Sequence, residues 1–140
     1  MNVRSVALIA TALLLSACGS SEVGEDPESS ESTAWEIAEN SIIIDTHIDV
    51  PYRIIDQWED VSESTAGGDF DYPRAIAGSL NVPFMSVYTP ASLEAEGKSK
   101  ERAEQLIALV NRIVSESPDK FAIALSPDDI EKQFNERKIS

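Results

Sequence analysis

The chain has 140 residues, with 25 Asp and Glu against 11 Lys and Arg, a net charge of −14 at pH 7, one histidine and one cysteine. So acidic a molecule repels nucleic acid and anionic lipid headgroups, which leaves metal cations and small zwitterions as electrostatically compatible partners. A single cysteine excludes an internal disulfide, and a single histidine cannot furnish a site that needs several imidazoles.

Residues 1–17 predict a secretory signal peptide: Arg4 supplies the positive start, and residues 6–15 form an apolar run too short to span a bilayer comfortably. Leu15-Ser16-Ala17-Cys18 resembles the bacterial lipobox, which implies cleavage before Cys18 and lipid attachment to its thiol. Acyl chains there would anchor the protein to a membrane, each buried methylene contributing about 0.8 kcal/mol. The expected location is therefore the cell envelope, at the outer membrane facing the periplasm. Residues 18–33 carry five acidic side chains and almost nothing apolar, so they predict a disordered, solvated tether.

Residues 34–40 form a short helical candidate. Residues 42–49, IIIDTHID, predict a first strand whose alternation puts Ile43, Asp45, His47 and Asp49 on one face and Ile42, Ile44 and Ile48 on the other, before Pro51 ends it. Residues 52–73 are polar and broken by Gly67-Gly68, which predicts a long excursion with a turn of helix at 52–58. Residues 81–88, NVPFMSVY, predict a second strand. The clearest helix covers 99–117, where Leu106, Leu109, Val110 and Ile113 recur on one face and Pro118 stops it. Residues 121–125 predict a third short strand. Ser126-Pro127-Asp128-Asp129 then opens a helix to about residue 136, and Lys138-Ile139 begins a further strand. This order argues for an α/β protein with a parallel sheet, with too few strands to close a barrel.

A His-x-Asp at the C-terminal end of a buried first strand places imidazole and carboxylate together, a donor set that suits Zn²⁺ and neighbouring divalent ions. His47 and Asp49 are accordingly the candidate metal ligands, with Asp45 flanking them. A competing reading makes His47 an ordinary strand histidine and lets Asp49 cap the turn at Pro51, and the triplet alone does not separate the two. Asp71-Tyr72-Pro73-Arg74 fits a turn with a paired Asp and Arg better than a substrate contact. Phe84, Met85, Val87 and Tyr88 fit barrel core, with Tyr88 at the strand's end as a candidate pocket wall.

Three separated blocks in order, IIIDTHIDVPYR, FDYPRAIAGSLNVPFMSVYTPA and SPDKFAIALSPDDIEKQFNERKIS, resemble the N-terminal portion of the membrane dipeptidase (renal dipeptidase) family of zinc peptidases, in its bacterial lipoprotein form. The resemblance implies a (β/α)₈ TIM barrel, of which residues 34–140 are the N-terminal part, incomplete in this chain. It implies two zinc ions at the barrel mouth, one held by His47 and Asp49. A bridging glutamate and further histidines would come from later strands, and no residue of this stretch is assigned a catalytic role. The implied activity is zinc-dependent hydrolysis of dipeptides, with this chain expected to be a truncated piece that lacks most of the metal site. Two alternatives stay open: a related amidohydrolase acting on another amide or lactam, and a non-catalytic envelope lipoprotein.

Overall fold

The computed structural model describes residues 27–140, so the expected signal peptide and Cys18 lie outside the described residues. In chain order the elements are α1 Pro27–Glu39, β1 Ile43–Ile48, α2 Val50–Ile54, α3 Tyr72–Ala77, β2 Leu80–Met85, α4 Ala91–Ala95, α5 Ser99–Glu116 and α6 Pro127–Asn135. β1 and β2 pair in parallel, which requires the chain to cross back between them, and residues 49–79 with α2 and α3 make that crossover. Helices alternating with a parallel strand pair make this an α/β chain.

The strand pair is out of register twice. Ile43 faces Leu80 while Ile44 faces Val82, so Asn81 is an extra residue in β2. Its side-chain oxygen accepts the Ile43 amide at 2.8 Å, and its own carbonyl accepts the Ser140 amide at 2.9 Å. Asn81 thereby joins the first strand to the far end of the chain. The second break lies near the end of β1, in the candidate site.

The core gathers Val50 and Ile54 of α2, Val61 and Phe70 of the excursion, Ala75 of α3, Ile113 of α5, Phe121 and Ile139. α5 packs on α2 and buries Leu106 and Ile113, two of the four residues its periodicity placed on the apolar face. α6 starts as its sequence predicts, with the Ser126 hydroxyl accepting the Asp129 amide and Pro127 in the first turn.

Four expectations are corrected. Helix α1 begins at Pro27, so residues 27–33, expected within the disordered tether, are helical; proline has the fixed φ that a first helical residue needs, and the helix runs on into the residues around Trp35. Residues 121–125 form no strand. Only Phe121 bridges, to Ile139, because the Leu125 amide donates to the Asp129 carboxylate and draws the chain into the α6 cap. β1 ends at Ile48, so Asp49 leaves the strand for the start of α2. Phe84, Val87 and Tyr88, expected as core, are exposed, Phe84 by 55%. Among the described residues the sheet has two strands, too narrow to enclose them.

The excursion between α2 and α3 is held by a carboxylate with no solvent exposure. Asp71 caps α3: one of its oxygens accepts the Arg74 amide at 2.9 Å, and the other accepts the Thr65 amide at 2.9 Å and the Thr65 hydroxyl at 3.2 Å. The Arg74 guanidinium stands 3.4 Å from the same carboxylate and donates to the carbonyls of Gly68 and Thr65. Burial alone pushes the Asp71 carboxyl up, but the Thr65 and Arg74 amides and the Arg74 charge outweigh it and hold the group below the ordinary aspartate range.

Asp71→Ala removes the cap and strands buried donors, so urea unfolding should show a loss of about 3 kcal/mol. Because the folded pKa lies below the unfolded one, the ionised carboxylate stabilises the fold at neutral pH, and that contribution is lost as pH falls through the folded value. Urea titrations carried from neutral pH to about pH 3 should show the advantage of the wild type over Asp71→Asn shrinking below about pH 4. A constant gap between the two proteins would contradict this role.

Candidate functional site

At the end of β1 the sequence Asp45-Thr46-His47-Ile48-Asp49 leaves the regular ladder. Asp45 faces Pro83 and Ile48 faces Met85, so Thr46 and His47 together stand opposite Phe84 alone. This is a β-bulge, which leaves an extra residue unpaired and bends the strand. The Asp45 carboxylate turns back along its own chain and accepts the His47 amide at 2.9 Å.

Asp49 is the N-cap residue of α2, yet its side chain makes no capping bond. Its carboxylate instead lies 3.3 Å from His47 Nε2, and the two side chains are 55% and 68% exposed. His47 is therefore no buried strand histidine, and Asp49 does not spend its side chain on the turn.

An imidazole nitrogen and a carboxylate oxygen 3.3 Å apart have the spacing of two neighbouring corners of a tetrahedron centred about 2.0–2.1 Å from each, the bond length of zinc to such donors. The pair fits one edge of a metal site. Among the described residues no group of three or more His, Cys, Asp or Glu gathers to complete it. Asp45 does not join the pair.

Beside the pair opens a cleft of about 490 Å³, walled by Asp45, Asp49, Tyr52, Arg53, Asp69 and Arg74 over a floor that includes Ile48 and Leu80. Its two cations are engaged within the protein. Arg53 pairs with Glu59 and donates to the Phe70 carbonyl at 3.4 Å, and Arg74 serves the Asp71 network. Tyr52 meets Tyr88 edge to face at 5.0 Å, so Tyr88 supports a wall residue rather than lining the cleft. The bulge and the Arg53 wall are what the sequence reading missed. An aspartate two residues before a histidine, able to take the histidine's own amide, was the available signal for the first.

Comparison with known proteins matches residues 31–140 to the membrane dipeptidase family, peptidase family M19. A protein from Aspergillus terreus named Dipeptidase ataJ is 29% identical over 110 residues, which cover 70% of this chain and 27% of that relative. The chain thus spans about a quarter of the length of this curated relative.

The cleft wall depends on Gly68, whose φ is +70°; a Cβ there would stand 2.6 Å from Arg53 Nε and 2.7 Å from its Cζ. Gly68→Ala should cost about 2 kcal/mol, from left-handed backbone strain and displacement of the guanidinium from Glu59. In a cycle with Arg53→Ala the double variant should lose less than the sum of the single ones, as contacting residues do. Strict additivity in urea unfolding would refute the contact.

Proposed function

The chain belongs to the membrane dipeptidase family, and on that premise we propose that it carries part of the metal site of a zinc-dependent dipeptidase, the whole protein hydrolysing the peptide bond of a dipeptide. The observation that carries this is the His47–Asp49 pair: two donors of the right chemistry, at 3.3 Å, exposed and without the structural duties that would explain them otherwise. His47 would bind through Nε2 and Asp49 through its facing carboxylate oxygen. A bound zinc ion supplies Lewis acidity, polarising a scissile carbonyl and lowering the pKa of water. The chain's own part is positional: the end of β1 and the first turn of α2 hold nitrogen and oxygen at a fixed separation. The acidic balance of the chain suits a cation and a zwitterionic dipeptide. The remaining ligands of the complete two-zinc site would come from other strands of a TIM barrel, as the resemblance implies.

We propose further that Cys18 carries lipid and holds the protein at the cell envelope. The Leu-Ser-Ala-Cys sequence behind a short apolar run supports this. A fatty-acid probe should label the wild type and leave Cys18→Ser unlabelled, and equal labelling would refute the anchor.

In the full-length protein, His47→Ala and Asp49→Ala should each lower bound metal, measured by elemental analysis. Dipeptide turnover should fall by more than about 100-fold, since loss of mere supporting contacts to ligands already costs 10–100-fold. A His47→Ala protein with undiminished metal and normal turnover would exclude this function for the pair.

A further inference from the structure

We propose that Asp45 is a positioning residue for the His47–Asp49 pair, acting through the backbone of His47 and not as a ligand. In a regular strand, side chains two positions apart are separated by about 6.6–6.8 Å of rise. His47 Nε2 and Asp49 Oδ1 nevertheless stand 3.3 Å apart. Two departures from the strand bring them together. Downstream, Asp49 has φ −91° and ψ 29° and turns the chain into α2. Upstream, the bulge places both Thr46 and His47 opposite Phe84 and orients the histidine before pairing resumes at Ile48.

A bulge leaves a backbone group without a ladder partner, and the Asp45 carboxylate supplies the acceptor for the His47 amide at 2.9 Å. The bond goes to the amide of the metal-binding residue itself, so it restrains the dihedral that sets the direction of the imidazole. The other register break of the same sheet is filled in the same way, with the Asn81 side-chain oxygen accepting the Ile43 amide at 2.8 Å. An amide oxygen therefore suffices for such a break. The requirement at position 45 is for an acceptor of this reach, not for negative charge.

The role of Asp45 towards a metal rests on the zinc reading of the pair, while its role towards the bulge does not, and one experiment separates them. His47 is the chain's single histidine, so selective ¹⁵N-histidine labelling reports its amide and its imidazole alone. Wild type, Asp45→Asn and Asp45→Ala are compared. The His47 amide should exchange about tenfold faster in Asp45→Ala than in the other two, the effect of losing one hydrogen bond. Added Zn²⁺ should shift the imidazole resonances of the wild type and Asp45→Asn at about tenfold lower concentration than those of Asp45→Ala. Equal amide exchange in all three chains overturns the proposal, as does failure of Asp45→Asn to restore the wild-type values. Equal zinc response in all three, with the exchange difference intact, overturns the positioning of the pair and leaves the zinc reading standing. An imidazole that zinc never moves, with the exchange difference intact, removes the zinc reading and leaves Asp45 as the keeper of the bulge.

Discussion

A backbone N–H that leaves the ladder must still find an acceptor, and that requirement shapes both ends of this sheet. The two strands are parallel but drift out of register at Asn81 and again after Asp45. In each case a short polar side chain on the bulged strand reaches an amide at 2.8 or 2.9 Å. Hydrophobic strand residues in those places would leave the amides to water or force the strands back into register. Back in register, residues 45, 47 and 49 would run on as an extended strand with their side chains well apart. The polar residues that look costly on a β-branched strand are thus what lets it bend.

The same accounting governs the excursion that follows. Asp71 has no exposure and would be prohibitive as a lone buried charge. Thr65, Arg74 and the start of α3 supply its partners, and Arg74 passes the restraint on to Gly68 and Thr65. The loop is fixed from within by these hydrogen bonds, together with the burial of Val61 and Phe70 in the core. Lys120 adds a tie from outside, donating to the Ser62 carbonyl at 2.9 Å and to Glu63 at 2.6 Å. Phe121 beside it enters the core, Arg102 pairs with Asp56 at 3.1 Å and Arg112 lies 3.7 Å over the Trp58 ring, so several side chains fasten the C-terminal half of the chain to the excursion.

Elements with strong local signals were legible in the sequence. The α5 helix, the Ser-Pro-Asp-Asp start of α6 and the first strand as far as Ile48 occur where their patterns place them. What was not legible depended on partners distant in sequence or on competition between local bonds. Residues 121–125 look like a strand by composition, but the Asp129 carboxylate claims the Leu125 amide and leaves that side chain 89% exposed. Alternation put Asp45, His47 and Asp49 on one face, and an uninterrupted strand would have kept them there. The extra residue in β1 could be found only from its pairing with β2. The helical start at Pro27 was obscured by an acidic composition, which describes average solvation and says little about where a proline can open a helix.

The exposure of His47 and Asp49 follows from the same division of labour. Their side chains remain in water, so each keeps its hydration and neither adds the desolvation cost that a buried ion pair carries. Their separation is set instead by backbone elements that are themselves anchored: Asp45 holds the His47 amide, while Val50, Pro51 and Ile54 bury α2 directly after Asp49. Burying the helix and leaving its preceding residue exposed keeps the carboxylate on a rigid support without enclosing it. For the zinc site proposed above that combination is favourable, because donors already held near their final distance lose little freedom when an ion binds. The apolar residues of α2 therefore contribute to the site's geometry as directly as the two donors contribute to its chemistry.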